Sequence, residues 1–279
     1  MKKIFLTSLL LFLSNIAFAD TLKFAQVSDV HLQNPNVTYE WRDLSHAKEN
    51  FYKAMDTLEG DNSIQYIFFT GDFVDRSFGD LLDEFFTRVN SMQKPYYLAL
   101  GNHDTNSPNG LVKQEVLKIL KDKSYKHKAR ANYAIKLNKN FLAIMLDPTS
   151  DIGISAQGYY KPSTLKWLDK TLRQNQDKNI LIFQHFPVVE PCDEFDYLYP
   201  HNIKNKADLL EILDKYRNVV LIASGHYHVA GEFEEYGIKH YSTPALFLMP
   251  SYYRVFEIDY DGRKINNIKS ELILNNNLN

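Results

Sequence analysis

Two rhythms of apolar residues alternate along this chain. Short unbroken runs, Leu22 to Val27, Ile64 to Thr70, Tyr96 to Leu100, Asn179 to Phe183 and Val219 to Ala223, read as buried strands. Between them apolar side chains recur at helical spacing. From Ser45 they are Ala47, Phe51, Ala54, Met55 and Leu58, with Gly60 as a stop; then come Leu81, Leu82, Phe85, Phe86 and Val89. Further helices are predicted over Thr164 to Gln174, with Ser163 as N-cap, and over Ala207 to Tyr216. Strand–helix alternation of this kind predicts an α/β unit with parallel neighbours.

The later chain is richer in strands. Asn132 to Leu137 and Phe141 to Leu146 flank Asn138-Lys139-Asn140, a hairpin signal. Gly231 to Tyr236, Ile238 to Ser242, Ala245 to Met249, Tyr253 to Tyr260 and Ile265 to Leu274 complete the predicted strands. Lys113 to Lys128 reads as a solvated helix face, and Gln33 to Glu40 and Pro187 to Asn205 as loops. With no repeat or linker, residues 20–279 are expected to form one domain, two sheets face to face with helices outside.

The first nineteen residues stand apart from this pattern. Lys2 and Lys3, the apolar stretch Ile4 to Leu13 and Ala17-Phe18-Ala19 have the order of a signal peptide cleaved after Ala19, so a periplasmic or secreted protein is expected. The apolar stretch is too short to span a bilayer comfortably. Loss of Lys2 and Lys3 takes the 32 basic residues to 30 against 34 acidic ones, and the formal charge from -2 to -4. That balance argues against a nucleic-acid polymer or an anionic membrane surface as partner. Cys192, the single cysteine, has no disulfide partner in the chain.

Five of the apolar runs end in side chains that bind metals. They are followed by Asp29-Val30-His31, by Gly71-Asp72 with Asp75, by Gly101-Asn102-His103-Asp104, by His185 and by Gly225-His226-Tyr227-His228. Open α/β sheets place their sites just past strand C-termini. Any one of these would pass for a turn or a core histidine; five in sequence point to a site. Mixed nitrogen and oxygen donors suit Zn, Mn or Fe rather than Ca or Mg alone. Asp29, His31, Asp72, Asn102, His185, His226 and His228 are too many for one tetrahedral ion, and fit two ions about 3.5–4 Å apart that share a carboxylate and a water.

In this order the motifs resemble the calcineurin-like metallophosphoesterase superfamily, over residues 22 to 244. Thr164-Leu165-Lys166-Trp167-Leu168-Asp169 ahead of a strand ending in His185-Phe186-Pro187 is similar to the bacterial class III cyclic-nucleotide phosphodiesterase branch. The resemblance implies a four-layer αββα sandwich. It implies one metal held by Asp29, His31, Asp72 and His228, and a second held by Asp72, Asn102, His185 and His226, with Asp72 bridging. It gives His103 the protonation of the leaving oxygen and a place over the substrate beside Asn102, and Asp104 the task of orienting or polarising His103. Asp75 would support the ligands from behind. The reaction implied is attack of a metal-activated hydroxide on a small phosphate ester, with a cyclic or other nucleotide diester favoured.

One departure narrows the family: purple acid phosphatases carry a metal-bound Tyr where this chain has Asp75. Sphingomyelinase-like members stay open, although their usual disulfides could not form with a single cysteine. A broad phosphomonoesterase is the alternative within enzymes. A periplasmic metal-binding protein is the alternative outside them, and a non-ligating His103 argues against it. Phe195, Tyr197 and Tyr199 read first as core under a long loop, and are the best candidates for a specificity wall; His46, His127, His201 and His240 have no motif around them.

Overall fold

Side-chain parity along the central strands decides the layering. The computed structural model describes residues 20–33, 42–192 and 201–275, so the leader-like segment, most of the 33–40 loop and Phe195, Tyr197 and Tyr199 lie outside the described residues. In chain order the elements are β1 (Asp20–Val27), α1 (Ala47–Gly60), β2 (Tyr66–Thr70), α2 (Gly79–Asn90), β3 (Tyr96–Ala99), α3 (Lys113–Lys123), β4 (Tyr133–Lys136) and β5 (Phe141–Met145). Then follow α4 (Pro162–Gln174), β6 (Asn179–Phe183), α5 (Lys206–Asp214), β7 (Val219–Ser224), β8 (Gly231–Glu235), β9 (Ile238–Ser242), β10 (Tyr252–Asp261) and β11 (Lys264–Leu274).

One sheet runs β11-β10-β1-β2-β3 and the other β4-β5-β6-β7-β9-β8. The neighbours β1, β2 and β3 are parallel, as are β5, β6, β7 and β9; the outer strands join antiparallel. On β2, Phe69 meets Phe85 of α2, ring centroids 5.2 Å apart, while Phe68 turns to the other sheet and stacks on Phe183 of β6 at 3.8 Å. On β6, Leu181 and Phe183 fill the core between the sheets. Ile180 and Ile182 face the opposite way, into a cluster with Leu168 and Leu172 of α4 and Leu209 of α5. The result is the expected four-layer αββα sandwich. Strands covered on both faces bury every side chain, which is why their sequences are unbroken apolar runs.

Three expectations change. Ala245 to Met249 is a turn, not a strand, because its carbonyls are claimed by side chains rather than by a neighbouring strand. Helix α4 begins at Pro162, with Lys161 rather than Ser163 at the N-cap; proline at the first helical position needs no amide partner. The lysine-rich segment is α-helical only to Lys123, with a short 3-10 turn at Tyr125–His127, and Lys113 is not solvated: its Nζ is 2.7 Å from Asp147 and donates to the Thr149 carbonyl. Asn138-Lys139-Asn140 does close the β4–β5 hairpin, with Asn138 Oδ1 accepting from the amides of Asn140 and Phe141. Among the described residues no helix is long and apolar enough to cross a membrane.

Candidate metal centre

The five motifs follow β1, β2, β3, β6 and β7, and the two sheets bring them to one place. The loops are knitted to one another by backbone. The Asp29 amide donates to the Gly71 carbonyl (3.1 Å), the His31 amide to the Asp72 carbonyl (2.8 Å) and the Gly225 amide to the His185 carbonyl (2.9 Å). Asp29, His31, Asp72, His226 and His228 all have positive φ, between 45° and 71°. Non-glycine residues held there cost about 1–3 kcal/mol each and persist only where surroundings over-determine them. Five such residues in one cluster mark it as built for its side chains.

Two glycines make the close approach possible. A Cβ on Gly101 would lie 2.2 Å from Asp72 Oδ1, and one on Gly225 would lie 1.8 Å from Ser28 Oγ and 2.2 Å from Asp29 Oδ2. Each carboxylate is also tied across the site: the His103 amide donates to Asp72 Oδ1 (2.8 Å) and the His226 amide to Asp29 Oδ2 (3.1 Å).

The seven expected ligands converge. Asp72 Oδ2 faces both halves, 3.5 Å from His31 Nε2 and 3.2 Å from His185 Nε2. Asp29 Oδ1 is 3.2 Å from His228 Nε2, and Asn102 Oδ1 is 2.9 Å from His185 Nε2. His226 Nδ1 is 3.1 Å from the same His185 nitrogen. Outer acceptors hold three of the rings. Asp75 accepts from His31 Nδ1 (3.0 Å), the Thr70 carbonyl from His185 Nδ1 (2.9 Å) and the Ala156 carbonyl from His226 Nε2 (2.8 Å). Each ring then presents its other nitrogen inward, as metal-binding histidines do. His31 Nε2 is buried with no hydrogen-bond partner, an orphan that a cation would satisfy. The residues fit two metal ions; Asp29, His31 and His228 form one candidate group and Asp72, His185 and His226 another.

Electrostatics agree with that reading. Burial would raise Asp29 and Asp72, but the facing histidines outweigh it; Asp29 falls to about 2 and Asp72 well below its usual value. Burial would lower His185, yet Asp72 and Asp29 lift it to about 9. Burial dominates at His31, which falls to about 4, and at His226, which also falls. Two carboxylates fully out of water need positive charge beside them.

Asp104 has partners other than the expected one. Its oxygens accept from the backbone amides of Asp72 (2.9 Å), Gly101 (2.7 Å) and Val74 (3.2 Å), so it staples the β2 and β3 loops together. Asp75 stands beside His103 instead: its backbone carbonyl accepts from His103 Nδ1 at 2.9 Å. The His103 ring is 4.7 Å from that of His31, with its side chain 21% exposed.

Several participants left no mark in the sequence. Arg42, buried, pairs with Asp75 at 2.5 Å. His201 has its ring centroid 5.3 Å from that of His226. Ala156 acts through a carbonyl that any residue would supply. For Arg42 and His201 no local motif exists to find.

An α/β sandwich of two mixed sheets with such a cluster at its strand ends is the arrangement of a metal-using hydrolase of phosphate esters. The chain belongs to the calcineurin-like phosphoesterase family, whose model matches residues 22–230. It is similar to the probable glycerophosphodiester phosphodiesterase GpdQ of Arcobacter nitrofigilis, 27% identical over 205 residues that cover 73% of this chain and 70% of the relative. It is 25% identical over 231 residues to the 3',5'-cyclic adenosine monophosphate phosphodiesterase CpdA of Haemophilus influenzae, covering 80% of this chain and 76% of that one. A dimetal phosphatase from Danio rerio shares the fold at a TM-score of 0.70 and 15% identity, over 91% of this chain and 99% of that structure.

Because His185 is held near pKa 9 by Asp72 and Asp29, it carries both protons at neutral pH in the metal-free protein and must lose one to become a ligand. Metal binding at pH 7 should therefore release protons and tighten as pH rises towards 9. Titration calorimetry in buffers of different ionisation enthalpy checks this; an identical heat in all of them would contradict it.

Proposed function

We propose that this chain is an exported, dinuclear metal-dependent phosphodiesterase acting on small phosphodiesters such as cyclic or other nucleotides. The observation that carries the reading is Asp72 Oδ2 lying within 3.5 Å of a histidine from each half of the site. One ion would be held by Asp29, His31, Asp72 and His228, the other by Asp72, Asn102, His185 and His226. When bound, such ions (Mn, Fe or Zn) supply Lewis acidity toward phosphoryl oxygens and activate a shared water as nucleophile.

The chain's own residues do the rest. Asn102 and His103 border the position of the phosphoryl group. With Nδ1 held by the Asp75 carbonyl, His103 has Nε2 left to carry a proton to the departing oxygen. A placed acid of this kind contributes about 10²–10⁴-fold in rate. Asp104 acts at a distance, by fixing the two loops that carry Asp72 and Asn102. A diester is favoured over a monoester because both curated relatives compared above are named as phosphodiesterases. A metal-binding protein without catalysis would need the seven ligands but has no use for His103. The leader pattern before Asp20 supports export to the periplasm or beyond.

His103→Ala should keep its metals and lose turnover, about 100-fold or more on diesters with basic alkoxide leaving groups and much less on p-nitrophenyl esters, whose leaving group hardly needs a proton. Equal losses on both classes would reassign His103 to phosphate positioning. For export, intact-mass measurement of the periplasmic or secreted protein should give a chain beginning at Asp20. A chain retaining Met1 would mean an uncleaved anchor.

A further inference from the structure

A cavity of about 710 Å³ opens beside the metal centre, sharing His226 and His228 with it. That size accommodates a substituent as large as a small organic ligand. Its lining joins Tyr227, Val229, Phe247, Leu248 and Met249 to the polar Arg42, Asp43, His46 and His201. The cavity meets the metal centre at His226 and His228, and Asn102 and His103 are not among its lining residues.

Part of this wall comes from the segment whose sequence promises a strand and whose structure denies it. Ala245, Leu246 and Phe247 are buried, whereas Leu248 is 38% and Met249 64% exposed at the cavity. The turn is held deliberately. Asn50, a buried polar residue on the core face of α1, donates from Nδ2 to the Leu246 carbonyl at 3.0 Å, with the Phe247 and Leu248 carbonyls each at 3.4 Å. Ser251 Oγ also donates to the Leu246 carbonyl (2.7 Å), and the Leu246 amide donates to the Ser28 carbonyl next to Asp29 (3.0 Å). Phe247 packs edge-on against His31 and His228, at 5.1 and 5.2 Å between ring centroids. An apolar lip is thus bolted to the metal-binding loops rather than left as a stray surface patch.

We infer that Leu248 and Met249 are specificity-determining residues for the ester group that stays on phosphorus, and that this group is apolar or aromatic-faced rather than a small polar alcohol. The inference rests on the phosphodiesterase reading and adds a selection among diesters. A substituent of that kind leaves water against the Leu248 and Met249 side chains, in a cavity that Tyr227 and Val229 also line, while a methyl ester or a short polyol leaves the lip wet. Differences of one or a few methylenes in such pockets change kcat/KM by about 10–200-fold.

Two diesters with the same leaving group isolate the effect: p-nitrophenyl phenyl phosphate and methyl p-nitrophenyl phosphate, offered to the manganese-loaded chain. The wild type should prefer the phenyl ester by about tenfold or more in kcat/KM. The double variant Leu248→Ser/Met249→Ser should lose most of that preference through KM, while Leu248→Met/Met249→Leu should keep it. Binding of phenylphosphonate against methylphosphonate, read by titration calorimetry, should move in parallel. A serine variant that melts like the wild type and keeps the full preference overturns the inference. If the wild type turns over neither ester with Mn, Zn or Fe, the proposed reaction fails. The phosphonate titration then still decides the wall, equal affinity for the two phosphonates overturning it.

Discussion

Asp72 is a carboxylate taken out of water and turned by a left-handed backbone into the space between two sheets. That arrangement is unfavourable several times over, in solvation and in backbone strain, and most of the surrounding structure answers it. Gly101 gives up its side chain so that Asp72 Oδ1 can sit against the next loop. Asp104 collects the amides of both loops, and His31 and His185 face the charge from opposite sides. Asp29 repeats the pattern with Ser28, Gly225 and His228. Two anions, three imidazoles held by outer acceptors and one orphaned nitrogen amount to a preformed demand for cations. Family membership and site chemistry therefore make the same statement from different directions.

The fold was legible wherever a strand is covered on both faces, because complete burial leaves an unbroken apolar run that nothing else in the chain imitates. Runs such as Ile64 to Thr70 also announced the site, since side chains that bind metals stood immediately beyond them. What failed was whatever depends on a distant partner. Ala245 to Met249 has a strand's composition, but Asn50, almost two hundred residues earlier, claims its carbonyls. Lys113 looked like one more solvated lysine until Asp147 was folded against it. Asp104 stands next to His103 in sequence and turns instead to three backbone amides, while Asp75, from the previous loop, meets the imidazole. Arg42, His201 and the Ala156 carbonyl had no motif to betray them.

The division of labour within the site follows from the same geometry. Six of the seven expected ligands are buried, all but His228, and three of the histidines are held by outer acceptors, so those positions are set before any cation arrives. His103 is partly exposed and reaches toward solvent, where a substrate oxygen would be. The apolar lip is further out, fastened to the ligand loops through Leu246 and Ser28. On the proposed reading, chemistry belongs to the strand ends and choice of substrate to the exposed residues of the turn.

If Asp72 joins two ions in one site, its removal should cost one of them. Metal content of the loaded wild type and of Asp72→Ala, measured by elemental analysis after exhaustive removal of free ions, decides this. Two ions per chain are expected in the wild type and no more than one in the variant. Two ions per chain retained by Asp72→Ala, or a wild type that never exceeds one, would contradict it.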